Sequence, residues 1–213
     1  MLTNMEHRGA CGCEPNTGDG AGIMIQTPHD FFVKKARENG FELPEFGEYG
    51  VGVVFFPQDK NLRNQCRALL NDYIDEMEFD LLGYRMVPTD DDELGQTAVS
   101  VEPRMEHVFV KARQTPPDRY WLERRLYVLR KYATHKIHQT FPQTADHYYM
   151  PSFSYKTVVY KGQLTTHQVR PFYPDLHDAD LKSAIALALS ELGWTPRRIG
   201  QLTASRRNAD QRF

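Results

Sequence analysis

Residues 7–23, HRGACGCEPNTGDGAGI, form a glycine-rich stretch near the start of the given sequence. The stretch holds five glycines together with Asn16, Thr17 and Asp19, whose side chains favour turns because they bond nearby backbone groups. Glycine adopts positive φ angles and allows a close backbone approach that a side chain would prevent. The stretch therefore predicts a tight loop that leads into a strand at Gly22–Thr27.

The spacing Gly18-x-Gly20-x-Gly22 also raises the question of a phosphate-binding loop. Such a loop needs a preceding strand, a following helix and often a Lys with Ser or Thr. Here the loop leads into a strand and no Lys follows, so a structural turn is the better interpretation. Zinc binding has little support either, because Cys11 and Cys13 are separated by a single residue and no second pair follows. No metal site is predicted.

The composition is typical of a globular protein without a strong charge bias. The 213 residues are 40% hydrophobic and 25% charged, and the formal net charge is −2. This charge gives no electrostatic case for binding nucleic acid or membranes. No apolar run is long enough to span a bilayer, and Met1–Gly9 lacks the apolar core of a signal peptide. Three cysteines do not make a disulfide framework, which favours a reducing cytoplasm.

Hydrophobic patterns predict helices and strands that interleave along the chain. Helices are predicted at residues 31–38, capped by Asp30, from Asp59 to about Met77, from Thr115 to about His138, and after Asp178. Strands are predicted at residues 22–27, 49–56, 81–87, 105–111, 148–155 and 157–162, the last two as a hairpin or a pair of adjacent strands. The pattern indicates a fold that mixes α and β structure.

Three further features have simple structural interpretations. Residues 90–93 are four consecutive acids, which is typical of a solvated loop, whereas a calcium site would want alternating ligands and Gly. Cys66 falls on the apolar face of the second helix and is predicted to be a small buried hydrophobe. The basic residues of the helix after Thr115 are predicted to lie on its solvated face.

The glycine-rich stretch also resembles one family. Residues 7–23 are similar to the start of the glutaminase domain of the large subunit of glutamate synthase, a class II (Ntn-type) glutamine amidotransferase. The similarity continues in the order of the family at EYGVG (48–52), LERRLYVLRK (122–131), YYMPSFSYKTVVYKGQL (148–164) and FYPDL (172–176). The resemblance implies an α+β fold, an Ntn-hydrolase-like four-layer αββα sandwich that is incomplete here.

The chain differs from the family at the segments that carry the catalytic and substrate-binding residues. The family's nucleophile is a Cys that begins a Cys-Gly-x-Gly-Phe strand, and neither Cys11 nor Cys13 is its equivalent. The Arg-Phe-Ser-Thr-Asn-Thr strand, whose Arg binds the glutamine carboxylate, and the His-Asn-Gly-Glu segment of the oxyanion hole have no match either. No catalytic or substrate-binding residue is carried over. The residues that match are predicted to form a structural motif: His7, Arg8, Gly9, Asn16, Gly18, Asp19, Gly20 and Gly22.

The resemblance implies a domain organisation and a function. We expect a partial glutamine amidotransferase type-2 domain at residues 1–186 and an unrelated, disordered, Arg-rich tail at residues 187–213. The implied function is glutamine amide hydrolysis that supplies ammonia to 2-oxoglutarate for glutamate formation, with this chain itself inactive. FMN and an iron–sulfur cluster are expected only in missing parts of the full-length enzyme.

The resemblance also implies partners. Glutamine is the substrate of the full-length family, and contact with the remaining synthase domains or the small subunit is expected. The alternative hypothesis is a non-catalytic stand-alone interaction module or fold remnant. A nucleic-acid binder that uses the Arg-rich tail has little beyond charge in its favour.

Overall fold

The computed structural model describes residues 16–18, 20–118 and 120–190, which form two antiparallel sheets with flanking helices. The strands are β1 (Ala21–Gln26), β2 (Tyr49–Phe56), β3 (Phe79–Met86), β4 (Arg104–Ala112), β5 (Tyr149–Ser154), β6 (Thr157–Gly162) and β7 (Ala186–Ser190). The helices are α1 (His29–Glu38), α2 (Lys60–Glu76), α3 (Gln96–Ser100), α4 (Trp121–Thr140) and α5 (Val169–Phe172), with 3₁₀ turns at Pro142–Thr144 and Pro174–His177.

The two sheets have the strand orders β3-β4-β2-β5 and β6-β1-β7. In the first sheet, Tyr49 at the start of β2 lies opposite Lys111 near the end of β4. In the second sheet, β1 is central, with Ala21 opposite both Gly162 of β6 and Ser190 of β7. The predicted mixture of α and β structure is confirmed.

Helices α2 and α4 cover one face of the four-stranded sheet. The apolar residues on this side of the sheet include Val54, Phe56 and Val108. The predicted stripe of α4 is buried in full, at Leu122, Leu126, Leu129, Ala133 and Ile137. Helix α2 contributes Cys66, Leu70 and Ile74, and Asp59 caps it by accepting a 2.7 Å hydrogen bond from the Leu62 amide. The prediction that Cys66 is a small buried hydrophobe is confirmed.

The opposite face of the same sheet packs on the three-stranded sheet. Val51 of β2 and Phe109 of β4 share this second core with Val158 and Tyr160 of β6. Helix α1 joins it through Phe31 and Phe32, both fully buried. The described residues therefore form three successive layers: helices, a four-stranded sheet and a three-stranded sheet.

The predicted last helix is wrong. Asp178 caps no helix, and residues 186–190 form strand β7, paired with β1 so that Leu187 lies opposite Met24. The spacing of Leu181, Ile185 and Leu189 fits a helix, but a short apolar run cannot be assigned by periodicity alone. The free edge of β1 supplies the hydrogen-bond partners that decide the matter. Strand β7 also includes residues 187–190 of the predicted tail, whose remainder lies outside the described residues.

Of the two alternatives predicted for β5 and β6, the hairpin is wrong, whereas the two strands do lie in contact. The two strands follow each other after only Tyr155 and Lys156, yet β5 pairs with β2 and β6 pairs with β1, so the chain passes from one sheet to the other. Serine hydroxyls connect the strands instead, since Ser152 Oγ accepts a 3.2 Å hydrogen bond from the Val159 amide. Sequence periodicity predicts each strand but not its partner.

Two predicted helix starts need correction. Helix α4 begins at Trp121 and not after Thr115, because Pro117 restricts the residue before it to extended backbone. Asp118 then forms a turn by accepting a 2.7 Å hydrogen bond from the Tyr120 amide. Helix α1 begins at His29, so Asp30 lies in its first turn and makes no capping hydrogen bond.

Candidate functional site

A cavity of about 510 Å³ lies at one end of the two sheets. Strands β2 and β6 end here and β4 and β5 begin here, since Phe56 pairs with Arg104 and Phe55 with Tyr149. The wall combines apolar and polar side chains, among them Phe55, Leu62, Leu94, Glu102, Met105, Asp146, His147, Tyr149, Lys161, Leu164 and Phe172. The ends of strands from both sheets thus build one site.

Lys161 is the most deeply buried cation at this cavity among the described residues, with 6% of its surface exposed. Its Nζ donates a 3.2 Å hydrogen bond to Tyr149 Oη and lies 4.2 Å from the centroid of the same ring. Burial raises the pKa of Tyr149, and burial likewise raises the pKa of Glu102 on the cavity wall. The site therefore places charge in a largely apolar enclosure, where electrostatic interactions are strong.

Two neighbouring contacts fix the backbone that carries Lys161. Tyr173 Oη donates a 2.6 Å hydrogen bond to the Lys161 carbonyl oxygen. Tyr160, the preceding residue, donates from Oη to Asp175 Oδ2 at 3.0 Å. Tyr173 and Asp175 both belong to the FYPDL segment, so this segment supports the end of β6 at the cavity.

Asp175 is itself held by a buried ion pair. Arg85 of β3 donates from Nη1 and Nη2 to the two carboxylate oxygens, at 2.7 and 2.6 Å. Nη1 also lies 3.3 Å from His107 Nδ1 on β4. Burial, followed by the nearby Arg85 charge, holds the pKa of His107 well below its ordinary value. This network joins both sheets behind the cavity.

Gly18 and Gly22 of the glycine-rich stretch pack on the end of β6 and the segment after it, which line the cavity. A Cβ on Gly18 would lie 2.2 Å from the Leu164 carbonyl oxygen, and one on Gly22 would lie 2.5 Å from Lys161 Cβ. Gly20 has a φ of 141°, which L side chains rarely adopt. The close approaches at Gly18 and Gly22 and the φ angle of Gly20 are the physical reasons for glycine at these three positions.

The structure describes only some of the eight residues of the predicted structural motif. The Asn16 carbonyl oxygen accepts hydrogen bonds from the Gly95 amide and from Gln168 Nε2, both at 3.0 Å. His7, Arg8, Gly9 and Asp19 lie outside the described residues, as do Cys11 and Cys13. The structure thus brings Asn16 and Gly18 against the loop after β6, and Gly22 against β6 itself.

The acidic run and the basic residues of α4 found in the sequence contribute no side chain to the cavity wall. Asp90, Asp91 and Asp92 are exposed, as a solvated loop predicts, and their carboxylates lie within 4.8 Å of one another. On α4, Arg124 pairs with Asp118 at 2.8 Å. Arg125 and Arg130 donate to backbone carbonyls at 2.6 and 2.9 Å. These three arginines take part in local contacts within the domain.

Comparison with known families identifies the chain. The sequence model of one protein family, the class-II glutamine amidotransferases, matches residues 1–192. This chain belongs to that family. The resemblance to the amidotransferase domain of glutamate synthase is confirmed by relatives that carry that name.

Three relatives of this amidotransferase come from distant organisms. The large chain of NADPH glutamate synthase from Bacillus subtilis is 40% identical over 190 residues, which is 89% of this chain and 12% of the relative. The NADH glutamate synthase of Schizosaccharomyces pombe is 36% identical over 195 residues, with coverage of 89% and 9%. The chloroplastic ferredoxin-dependent glutamate synthase 2 of Arabidopsis thaliana is 34% identical over 184 residues, with coverage of 86% and 11%.

The amidotransferase chain thus spans only 9–12% of the length of these relatives. Among its described helices, none combines the length and apolar character needed to cross a bilayer.

Sequence reasoning did not single out the side chains of Arg85, Lys161 and Gln168. Lys161 falls within a segment noted for its resemblance, whereas neither periodicity nor a motif marks Arg85 or Gln168.

Proposed function

We propose that this chain is part of the glutaminase domain of a glutamate synthase. That domain hydrolyses the glutamine amide and supplies ammonia to 2-oxoglutarate for glutamate formation. The observation that carries the proposal is the family match over residues 1–192. The three relatives described above are named as glutamate synthases. Contacts with the remaining synthase domains or a small subunit are part of the proposal.

The position of the cavity supports a glutamine site at this end of the sheets. Ser190, at the end of β7, lies opposite Ala21 and thus at the same end of the sheet as Gly162 on the cavity wall. In the family, the strand with the carboxylate-binding Arg follows this part of the chain. A family-like continuation of β7 would therefore bring that Arg toward the cavity.

We propose that the 213 residues by themselves do not hydrolyse glutamine. Amide hydrolysis by this family needs a thiolate nucleophile, a base and donors for the oxyanion. In the family the nucleophilic Cys supplies the first two through its own thiol and α-amino group. The given sequence contains no Cys-Gly-x-Gly-Phe, Arg-Phe-Ser-Thr or His-Asn-Gly-Glu segment. The alternative, a non-catalytic interaction module or fold remnant, rests on the same observation.

We infer that the three described layers belong to an incomplete four-layer αββα sandwich. The three-stranded sheet supports this through a row of apolar residues, Val159, Met24 and Leu187, which lie opposite one another across β6, β1 and β7. Leu187 is 49% exposed, and Met24 and Val159 are partly exposed. A second helical layer would bury this row.

The cofactors of the family are assigned to other regions. An iron–sulfur cluster needs several cysteine thiolates, and the described residues include only Cys66, which is fully buried. These residues do not fit a cluster, and we propose that FMN and the cluster bind elsewhere in the full-length enzyme. We also propose a cytoplasmic location, on the basis of the cysteine usage.

Incubation of the purified chain with glutamine, followed by measurement of glutamate and ammonia, tests the inactivity. We expect no turnover above the background. Turnover that is lost in Cys11→Ser or Cys13→Ser would contradict the assignment of both residues to a non-catalytic loop.

A chimera tests the proposed domain identity. In it, residues 1–186 of this chain replace the matching segment of the Bacillus subtilis relative. We expect glutamate formation with glutamine as the nitrogen donor, and formation with ammonia as the donor serves as the control for folding. A chimera that uses ammonia but not glutamine would favour the non-catalytic alternative.

A further inference from the structure

Three loops meet at the buried side chain of Gln168. Its Nε2 donates to the Asn16 carbonyl oxygen at 3.0 Å and to the Glu93 carbonyl oxygen at 2.8 Å. Its Oε1 accepts a 2.8 Å hydrogen bond from the Thr165 amide. The contacts to Asn16 and Glu93 join segments that are 152 and 75 residues away from Gln168 in the sequence.

Both the nitrogen and the oxygen of the Gln168 amide take part in these contacts. A glutamine amide offers two N–H donors and a carbonyl oxygen, and each N–H has its own carbonyl acceptor. Gln168 is only 2% exposed, so water does not replace a partner that is lost. Loss of the side-chain amide would remove the donor to the Asn16 and Glu93 carbonyl oxygens and the acceptor of the Thr165 amide, in contacts that are all part-buried.

Two backbone contacts hold the same junction together. The Gly95 amide donates to the Asn16 carbonyl oxygen at 3.0 Å. The backbone at Gly18 approaches the Leu164 carbonyl so closely that a Cβ would lie 2.2 Å from its oxygen. Leu94 and Leu164, which belong to two of the three loops, line the cavity. The junction therefore forms part of the cavity wall.

We propose that Gln168 is a positioning residue that holds residues 16–18 of the glycine-rich stretch and the loop before α3 against the cavity. The hydrogen bonds of its amide, and not the volume of its side chain, set the position of both loops. The functional meaning rests on the proposed glutaminase site, because residues 7–23 include the family's early motif. Gln168 itself is not assigned contact with substrate.

Amide hydrogen exchange in the full chain tests the role of the hydrogen bonds. In Gln168→Met, which keeps the length and buried volume but removes the amide, exchange at Gly95 and Thr165 should accelerate about tenfold, since it then proceeds through local opening. Amides in the central pair β2 and β4 serve as the internal control and should change less than about twofold, because they exchange through larger openings. Equal acceleration at both places would show a general loss of stability and would overturn the proposal.

Gln168→Glu adds a pH profile that packing alone would not produce. The ionised carboxylate cannot donate, and it faces the Asn16 and Glu93 carbonyl oxygens, whereas the protonated acid regains one donor. Exchange at Gly95, corrected for the intrinsic pH dependence, should therefore exceed that of the wild type by a factor that grows from acidic to alkaline pH. A factor that is the same at both pH values would contradict the proposal.

Gly18→Ala provides a second variant in which Gln168 is intact. Its Cβ pushes the loop away from Leu164, so exchange at Gly95 should accelerate as in Gln168→Met. No change at Gly95 in Gln168→Met would overturn the proposal, and a change in Gly18→Ala would then show that Gly95 does report displacement of the loop. None of these measurements requires glutamine turnover, so their failure is distinguishable from the failure of the proposed function, which the chimera tests.

Discussion

Arg85 and Asp175 form a bidentate ion pair in which both side chains are almost completely buried, at 6% and 3% exposure. The pair connects β3, at the edge of the four-stranded sheet, to the segment that follows α5. Because Tyr160 of β6 donates to the same carboxylate at 3.0 Å, the pair joins the two sheets. The Asp175 carboxylate therefore accepts hydrogen bonds from side chains of both sheets.

Removal of one partner of this pair should be strongly destabilising. Arg85→Met leaves Asp175 buried without its cation, and we expect a loss of about 3–5 kcal/mol in the free energy of unfolding. Urea unfolding followed by circular dichroism measures the loss. Lys34→Ala removes one partner of the exposed pair with Asp180 and is the matched control, with a midpoint close to that of the wild type. Equal midpoints for the two variants would contradict a structural role for the buried pair.

His107 should make the stability of the domain depend on pH in the acidic range. Burial and the nearby Arg85 charge hold its folded-state pKa well below 6.5, so the unfolded chain binds a proton first as the pH falls. The contribution is constant above about pH 6.5 and decreases below it, by up to about 1.4 kcal/mol per pH unit until the folded-state pKa is reached. His107→Phe, which suits the neighbouring rings of Phe32 and Phe109, should show a shallower slope between pH 7 and pH 5 in urea titrations. Parallel slopes would contradict this assignment.

Gly22→Ala should separate β1 from β6. The added Cβ would lie 2.5 Å from Lys161 Cβ and 2.6 Å from the Tyr160 carbonyl oxygen, and overpacking of this kind costs about 1–3 kcal/mol. Gly162→Ala is a control on the partner strand, because its Cβ meets only the movable Leu164 side chain, at 3.2 Å. Thermal unfolding should show a clearly lower Tm for Gly22→Ala than for Gly162→Ala. The reverse order would show that the close approach of β1 and β6 is not limiting.

Cys66 should be unreactive in the folded protein. Its side chain is fully buried in the core between α2 and the four-stranded sheet, and burial raises the pKa of the thiol to about 11. In a Cys11→Ser/Cys13→Ser variant, a thiol reagent at pH 8 should label Cys66 at least about a hundredfold more slowly than in concentrated urea, because labelling requires opening of the core. Similar rates with and without urea would show that this core is open.

The sequence alone predicted the elements whose patterns are local. Strand β2 follows from its β-branched and aromatic residues, and α2 follows from its apolar face and the Asp59 cap. The stripe on α4 from Leu122 to Ile137 is buried as its spacing predicts. The resemblance carried by residues 7–23 was sufficient to identify the family, because it rests on the identity and order of residues rather than on their packing.

Only the tertiary structure decided which of these elements pair or pack with one another. Residues 186–190 form a strand because β1 offers them a hydrogen-bonding edge, and β5 and β6 separate because each pairs with a different sheet. The roles of Arg85 and Gln168 depend on partners 90 and up to 152 residues away. Periodicity records which face of an element is apolar, but it carries no information about which distant group meets that face.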